Sequence, residues 1–182
     1  MKIANPEEVI RFWFEEIAPS QWWKRDGLFD SALAARFGTT LDAAGRCELY
    51  SWRERSAGRL AEVIVLDQFS RNIYRNDPRS FGFDPMALCL AQEAVHVGAD
   101  QALPLDQRVF FYMPFMHSES AVIHEWAIKL FSAAGLEANL DHERRHKAII
   151  DRFGRYPHRN RVLGRTSTSE ELDFLAHKVS CF

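Results

Sequence analysis

From Ala57 to Tyr74 the chain carries a stretch that no surface helix would tolerate. Val63-Ile64-Val65-Leu66 is apolar on every side, and Leu60, Ile64, Val65, Phe69 and Ile73 extend the pattern at helical spacing. A four-residue apolar run alone fits a buried strand equally well. Length decides for a helix, with Ser56 as its expected cap. A helix apolar all round has to be central, so the remaining elements must wrap it. With 182 residues the chain can build one continuous core without disulfides or metal. Its 47% apolar and 13% aromatic content sets it apart from disordered chains. A single domain over 1–182 is expected, with its core at about 5–176 and a frayed end at 177–182.

Helix signals recur on both sides of this segment. Asn5-Pro6-Glu7-Glu8 combines a cap, a first-turn proline and acids at the positive helix end, and Val9, Phe12, Trp13 and Ile17 follow on one face. Phe29, Leu33 and Phe37 recur every fourth residue ahead of Gly38, which reads as a glycine cap. A less regular helical stretch runs from Leu41 to Trp52. Asp84-Pro85 opens a helix through Val95 to Gly98. Another follows Pro104 and is expected to stop near Met113, because Pro114 lacks an amide hydrogen. Further helices are expected from Ser118 to Gly135, from Leu140 to Phe153 with Gly154 as cap, and after Ser167-Thr168-Ser169-Glu170-Glu171, which offers two overlapping capping boxes. About eight helices with short connections predict an all-α fold, either antiparallel hairpins in a right-handed array or a bundle.

Cys47, Cys89 and Cys181 are odd in number and widely spaced, which fits reduced thiols in a cytoplasm rather than a disulfide framework or cysteine zinc site. The acids in MKIANPEEVIRFWFEE disagree with a signal peptide, and no run of about 18 apolar residues suggests a membrane span. The formal charge of −2 disfavours nucleic acid as a partner.

Four places hold polar residues where chemistry is expected. Asp67, Gln68, Arg71 and Asn72 are set into the central helix. Asp67 and Arg71 stand four apart in the favourable order for an ion pair, so the group is either an internal network or the wall of a ligand site. Tyr112, His117, Ser118 and Glu119 cluster at the proline-marked junction, where helix ends position acid–base groups or anions, or are simply capped. From Asp141 to Arg165, seven arginines and one lysine face three acids, a formal +5 that leaves −7 for the rest. In that segment Arg155, His158, Arg159 and Asn160 surround a glycine cap and a proline turn; the arginines suit a carboxylate or phosphate, or pair with acids such as Asp67 and Glu119.

His142-Glu143-Arg144-Arg145-His146 is a literal HExxH on a helix, in which His142 and His146 would bind zinc and Glu143 would act as base. The position six residues past the second histidine is Arg152, not a ligand. His146 also shares an apolar stripe with Ile149, Ile150 and Phe153, which suits a hydrogen-bonded core histidine and leaves no cofactor expected.

Three segments, LDQFSRNIYRNDPRSF at 66–81, FFYMPFMHSE at 110–119 and RFGRYPHRNRVLGRTSTSEE at 152–171, resemble a bacterial family known as domain of unknown function 924. The resemblance extends from FWFEE near residue 12 to the last helix. It implies an all-helical fold similar to the tetratricopeptide-like superfamily and no assigned activity. It places Asp67, Gln68, Arg71, Asn72, Tyr112, His117, Glu119, His146, Arg155, His158, Arg159, Asn160 and Arg165 in recurring motifs. Ser70 stands where the family usually shows proline, which should relax the end of that helix. His142 is outside the pattern, which makes the HExxH accidental.

The reading drawn from the sequence is a binding module whose groove holds an anionic small molecule or a peptide segment through Arg155, His158 and Arg159, with Arg165 adding charge. The alternative is a metal-independent enzyme using His117 or His158 as acid–base with Glu119 or Asp67 orienting it. A zinc hydrolase at His142 and His146, and RNA binding through the basic segment, stand behind both.

Overall fold

The structure, a computed structural model, describes residues 2–177; of the end expected to fray, 177–182, all but residue 177 lies outside them, Cys181 included. No strand occurs among the described residues. They form two compact units, one of residues 2–75 with 79–114 and one of 76–78 with 115–177.

The first unit is built around the central helix. Helix α1 (Pro6–Arg11) starts with a full capping box between Asn5 and Glu8 and runs into a π-helical turn, Phe12–Glu16. Helix α2 spans Gly27–Gly45 and passes straight through Gly38. The glycine-cap expectation fails there because the apolar stripe of Leu33 and Phe37 carries on through Leu41 and Ala44, all buried. The helix instead ends beyond Gly45. Cys47, at φ 60°, takes the left-handed conformation, and the amides of Cys47 and Glu48 bond the carbonyls of Ala44 and Ala43.

The central segment is helix α3 (Ser56–Ile64), a π-helical turn Val65–Phe69, and helix α4 (Ser70–Ile73) in unbroken succession. Ser56 lies inside α3 rather than capping it, because Arg55 takes the extended cap position. Helix α5 (Asp84–His96) packs on α3, as does α1, while α2 packs on the second π-helical turn. The two π-helical turns also meet: Phe69 touches Phe12 edge-on at 6.1 Å between ring centroids and Trp13 at 5.6 Å. Helix α6 runs Leu105–Met116 with Pro114 inside it. The expected stop at Met113 fails because the buried apolar run from Val109 to Met113 carries on through Phe115 and Met116 and outweighs the one amide donor that Pro114 lacks.

In the second unit, α7 (Ala121–Phe131) packs on α8 (Glu137–Phe153) across a short connection. Helix α8 ends at Gly154, which is left-handed at φ 67°, as its place in the sequence predicts. A 3-10 turn Pro157–Arg159 follows, and α9 (Ser169–Ala176) closes the described chain on the predicted Thr168–Glu171 capping box. Ile149, Ile150 and Tyr156 form a small core flanked by Phe153 and Phe174. No helix among the described residues is long and apolar enough to cross a membrane.

Candidate functional site

The polar insertion in the central helix is an internal network of the first unit. Arg71 reaches Asp67 Oδ1 at 3.1 Å one turn back and grips Asp84 with both Nη atoms at 2.8 and 3.0 Å. Asp84 is the first residue of α5, and its carboxylate is taken by Arg71. Gln68 donates to Asp67 Oδ2 at 2.7 Å, and Asn72 donates to the Gln68 carbonyl at 2.9 Å. Asn72 in turn accepts from Arg75, whose guanidinium holds Asp30 at 2.6 and 2.8 Å. Ser70, expected to loosen this helix, ties it instead: its buried hydroxyl donates to the Leu66 carbonyl at 2.6 Å. Tyr112 is buried and donates to Asp100 at 2.6 Å; burial, then this acid, pushes its hydroxyl well above the usual tyrosine range.

The second unit gathers three of the remaining candidates, His146, His158 and Arg159, around one ring. Tyr156 is fully buried, and His158, His146 and His124 stand with their ring centroids 5.4, 5.7 and 6.3 Å from its own. The Arg159 guanidinium carbon sits 4.6 Å from the same centroid, a cation–π geometry, and Arg159 Nη2 donates to the His117 carbonyl at 2.9 Å. His146 donates Nδ1–H to the His142 carbonyl, which fixes its lone pair on Nε2. Burial drives the His146 pKa down to about 3; the His142 carbonyl opposes this, and the neighbouring His117, His124 and His158 add to it.

Glu119 is part of the frame beneath this cluster. Its carboxylate accepts both Nη atoms of Arg165 at 2.6 and 2.9 Å and the Tyr156 amide at 2.7 Å. Burial works against its ionisation, yet Arg165 and that amide hold it below the ordinary carboxylate value. Arg165 also donates to Asn160 Oδ1 at 2.9 Å. Arg155 is held by Glu171 at 2.6 and 2.8 Å, and mainly for that reason Glu171 falls to about 2. Much of the basic segment is matched in the same way: Arg145 pairs with Asp141, Lys147 with Asp151 and Glu125, and Arg152 with Glu170.

The HExxH comes apart in space. His142 is exposed, while Glu143 is fully buried and turned to His124, Nδ1 to Oε1 at 2.6 Å. No group of three or more His, Cys, Asp or Glu among the described residues is arranged to hold a metal ion. Glu143 is thus engaged in a core pair with His124, fully buried where His142 is exposed.

The family model described as "Bacterial protein of unknown function (DUF924)" matches residues 9–178. The chain belongs to this family. A solved structure, "Structure of Protein of Unknown Function ATU0120 from Agrobacterium tumefaciens", is similar at 38% identity over 94% of this chain and 97% of that one, with a TM-score of 0.90. The all-helical architecture is thus that of a solved relative. No curated protein matches. In this DUF924 member the candidate residues divide between the units: Asp67, Gln68, Arg71, Asn72 and Tyr112 lie in the first, and His117, Glu119, His146, Arg155, His158, Arg159, Asn160 and Arg165 in the second.

His124 and Tyr156 were not singled out as site residues from the sequence. A usable signal existed for His124, which shares a helical face with Ala127 and Phe131, both buried. A histidine on such a face requires a partner, and Glu143 occupies the matching face of α8 with His146 and Ile150.

Proposed function

We propose that this protein is a binding module that holds a small anionic molecule at the histidine cluster of its second unit, with His117, His146 and His158 as the contacting imidazoles and Arg159 as the fixed positive charge. The observation that supports the reading is the convergence of His146, His158 and the buried Arg159 guanidinium on the single ring of Tyr156, with His117 tied to Arg159 through its carbonyl and close enough to His146 to oppose its protonation. Neighbouring imidazoles oppose one another's protonation, and an anion relieves that opposition, so binding and proton uptake favour each other. Arg155 and Arg165, paired with Glu171 and Glu119, serve as frame in this reading and do not touch the ligand. The acid–base alternative draws on the same imidazoles. A histidine with its pKa near 3 is a poor proton acceptor at neutral pH, which puts binding ahead.

Native mass spectrometry of the purified chain, followed by calorimetric titration with inorganic phosphate, tests the reading. A retained acidic small molecule, or phosphate binding that takes up protons and is lost in His158→Phe but kept in Arg155→Ala, is the expected result. A bare polypeptide mass together with no phosphate binding up to roughly millimolar concentration would end it.

A further inference from the structure

We propose that the fully buried Glu143–His124 pair is a one-proton latch on the turn at 116–120, closed while the two side chains together hold two protons and released when alkaline solution removes one of them. The positions of the hydrogens follow from the partners. His124 Nε2 faces the Ser118 carbonyl at 2.9 Å and the Tyr156 hydroxyl oxygen at 3.3 Å. The tyrosine's own proton goes to the Met116 carbonyl at 2.5 Å, so both neighbours of Nε2 are acceptors and Nε2 must carry a hydrogen. On the other side of the ring, 2.6 Å separates Nδ1 from Glu143 Oε1. At that distance a hydrogen lies between them, since otherwise two lone pairs would face each other in the core. The pair therefore holds two protons.

Glu143 Oε2 is buried with no hydrogen-bond partner, which favours the carboxylic acid: an uncharged carbonyl oxygen is left orphaned at less cost than half of a carboxylate. Burial acts in the same direction on Glu143, offset in part by His124 and by Lys147 on the same helix. The other ionisable groups around the pair are Tyr156, against the His124 ring, and His146, which in turn lies near His117 and His158.

Loss of one proton forces a choice on the one that remains. A buried carboxylate beside Nδ1 takes it in a charge-assisted bond, leaving a bare lone pair on Nε2. The Tyr156 hydroxyl then turns from the Met116 carbonyl to Nε2, and the Ser118 carbonyl loses its donor. Two carbonyls of one short turn are freed together, on either side of His117 and next to Glu119. The latch is read without any ligand and stands or falls separately from the binding proposal.

The test is the His124 tautomer, followed in the full chain by nitrogen-15 imidazole spectra from about pH 6 to about pH 11. The expected result is loss of the Nε2–H signal and its replacement by Nδ1–H, with the backbone amides at 117–119 shifting in step. In Glu143→Gln the carboxamide donates to Nδ1 at every pH, so the Nε2–H signal persists throughout. If the wild type unfolds in alkali before switching, unfolding at a higher pH in Glu143→Gln supports the latch. An unchanged wild-type tautomer in a folded chain, the same switch in Glu143→Gln, or alkaline unfolding of both at one pH overturns it. Should Glu143→Gln not fold, the wild-type spectra alone decide.

Discussion

Glu171 holds Arg155 and caps its own helix with one carboxylate. Its Oε2 accepts the Thr168 amide at 2.7 Å and Arg155 Nη2 at 2.8 Å, while Oε1 takes Arg155 Nε at 2.6 Å. Replacing it with alanine removes a capping box and an ion pair together. Glu171→Ala is therefore expected to cost more than a cap alone, about 2–4 kcal/mol in denaturant unfolding. Because Glu171 is lowered in the folded chain to about 2, its contribution is complete above the ordinary carboxylate pKa and is lost as pH falls towards 2.

His146 makes the fold sensitive to acid over a higher window. Its folded pKa of about 3 lies below the unfolded value of 6.5, so the unfolded chain binds the extra proton first. Stability should be unaffected by this residue above pH 6.5 and fall as pH drops from there towards 3, by roughly 5 kcal/mol in full. A series of denaturant midpoints checks it. The slope should flatten in His146→Leu, and an unchanged slope would mean that the histidine is not held neutral.

Arg71 neutralises Asp67 and Asp84 at once. Arg71→Met should cost about 3–5 kcal/mol, because it removes the cation beside the buried Asp67 carboxylate and the half-buried Asp84 rather than because one bond is lost. Adding Asp84→Asn to Arg71→Met should recover part of that cost. Strict additivity in the double-mutant cycle would show that the two residues are not coupled.

The helical glycines separate by their surroundings. A methyl group on Gly58 would lie 2.0 Å from the Trp52 carbonyl oxygen, so Gly58→Ala should destabilise by more than about 2 kcal/mol. Gly38 has nothing within 4 Å of that position, and Gly38→Ala should stabilise by about 0.5–1 kcal/mol. Cys47→Gly should also stabilise, since it relieves a side chain held at φ 60°. Thermal unfolding of the three variants measures all of this.

The helices were legible in the sequence because their signals are local: Asn5 with Glu8, Thr168 with Glu171, and Gly154 after Phe153 act as written. The misreadings came where a local signal met a longer-range one. Gly38 and Pro114 each mark a helix end in isolation, and each is overridden by the apolar stripe running through it. Asp67 with Arg71 was visible at its four-residue spacing, but Asp84, thirteen residues beyond Arg71, was not. The Tyr156 cluster was half legible. Its members stood in named motifs, while their convergence depends on partners such as His124 and Glu143, or Glu119 and Arg165, that only the packing of α7, α8 and the turns brings together.

Each π-helical turn contains one residue more than an α-helical turn of the same height. The central helix therefore carries a spare residue between Val65 and Phe69, and everything after it is shifted in phase by about 100°. That phase is what aims Arg71 at Asp84 and Arg75 at Asp30. Deleting Leu66 would remove no side chain from the network, yet it would turn Arg71 and Arg75 away from Asp84 and Asp30.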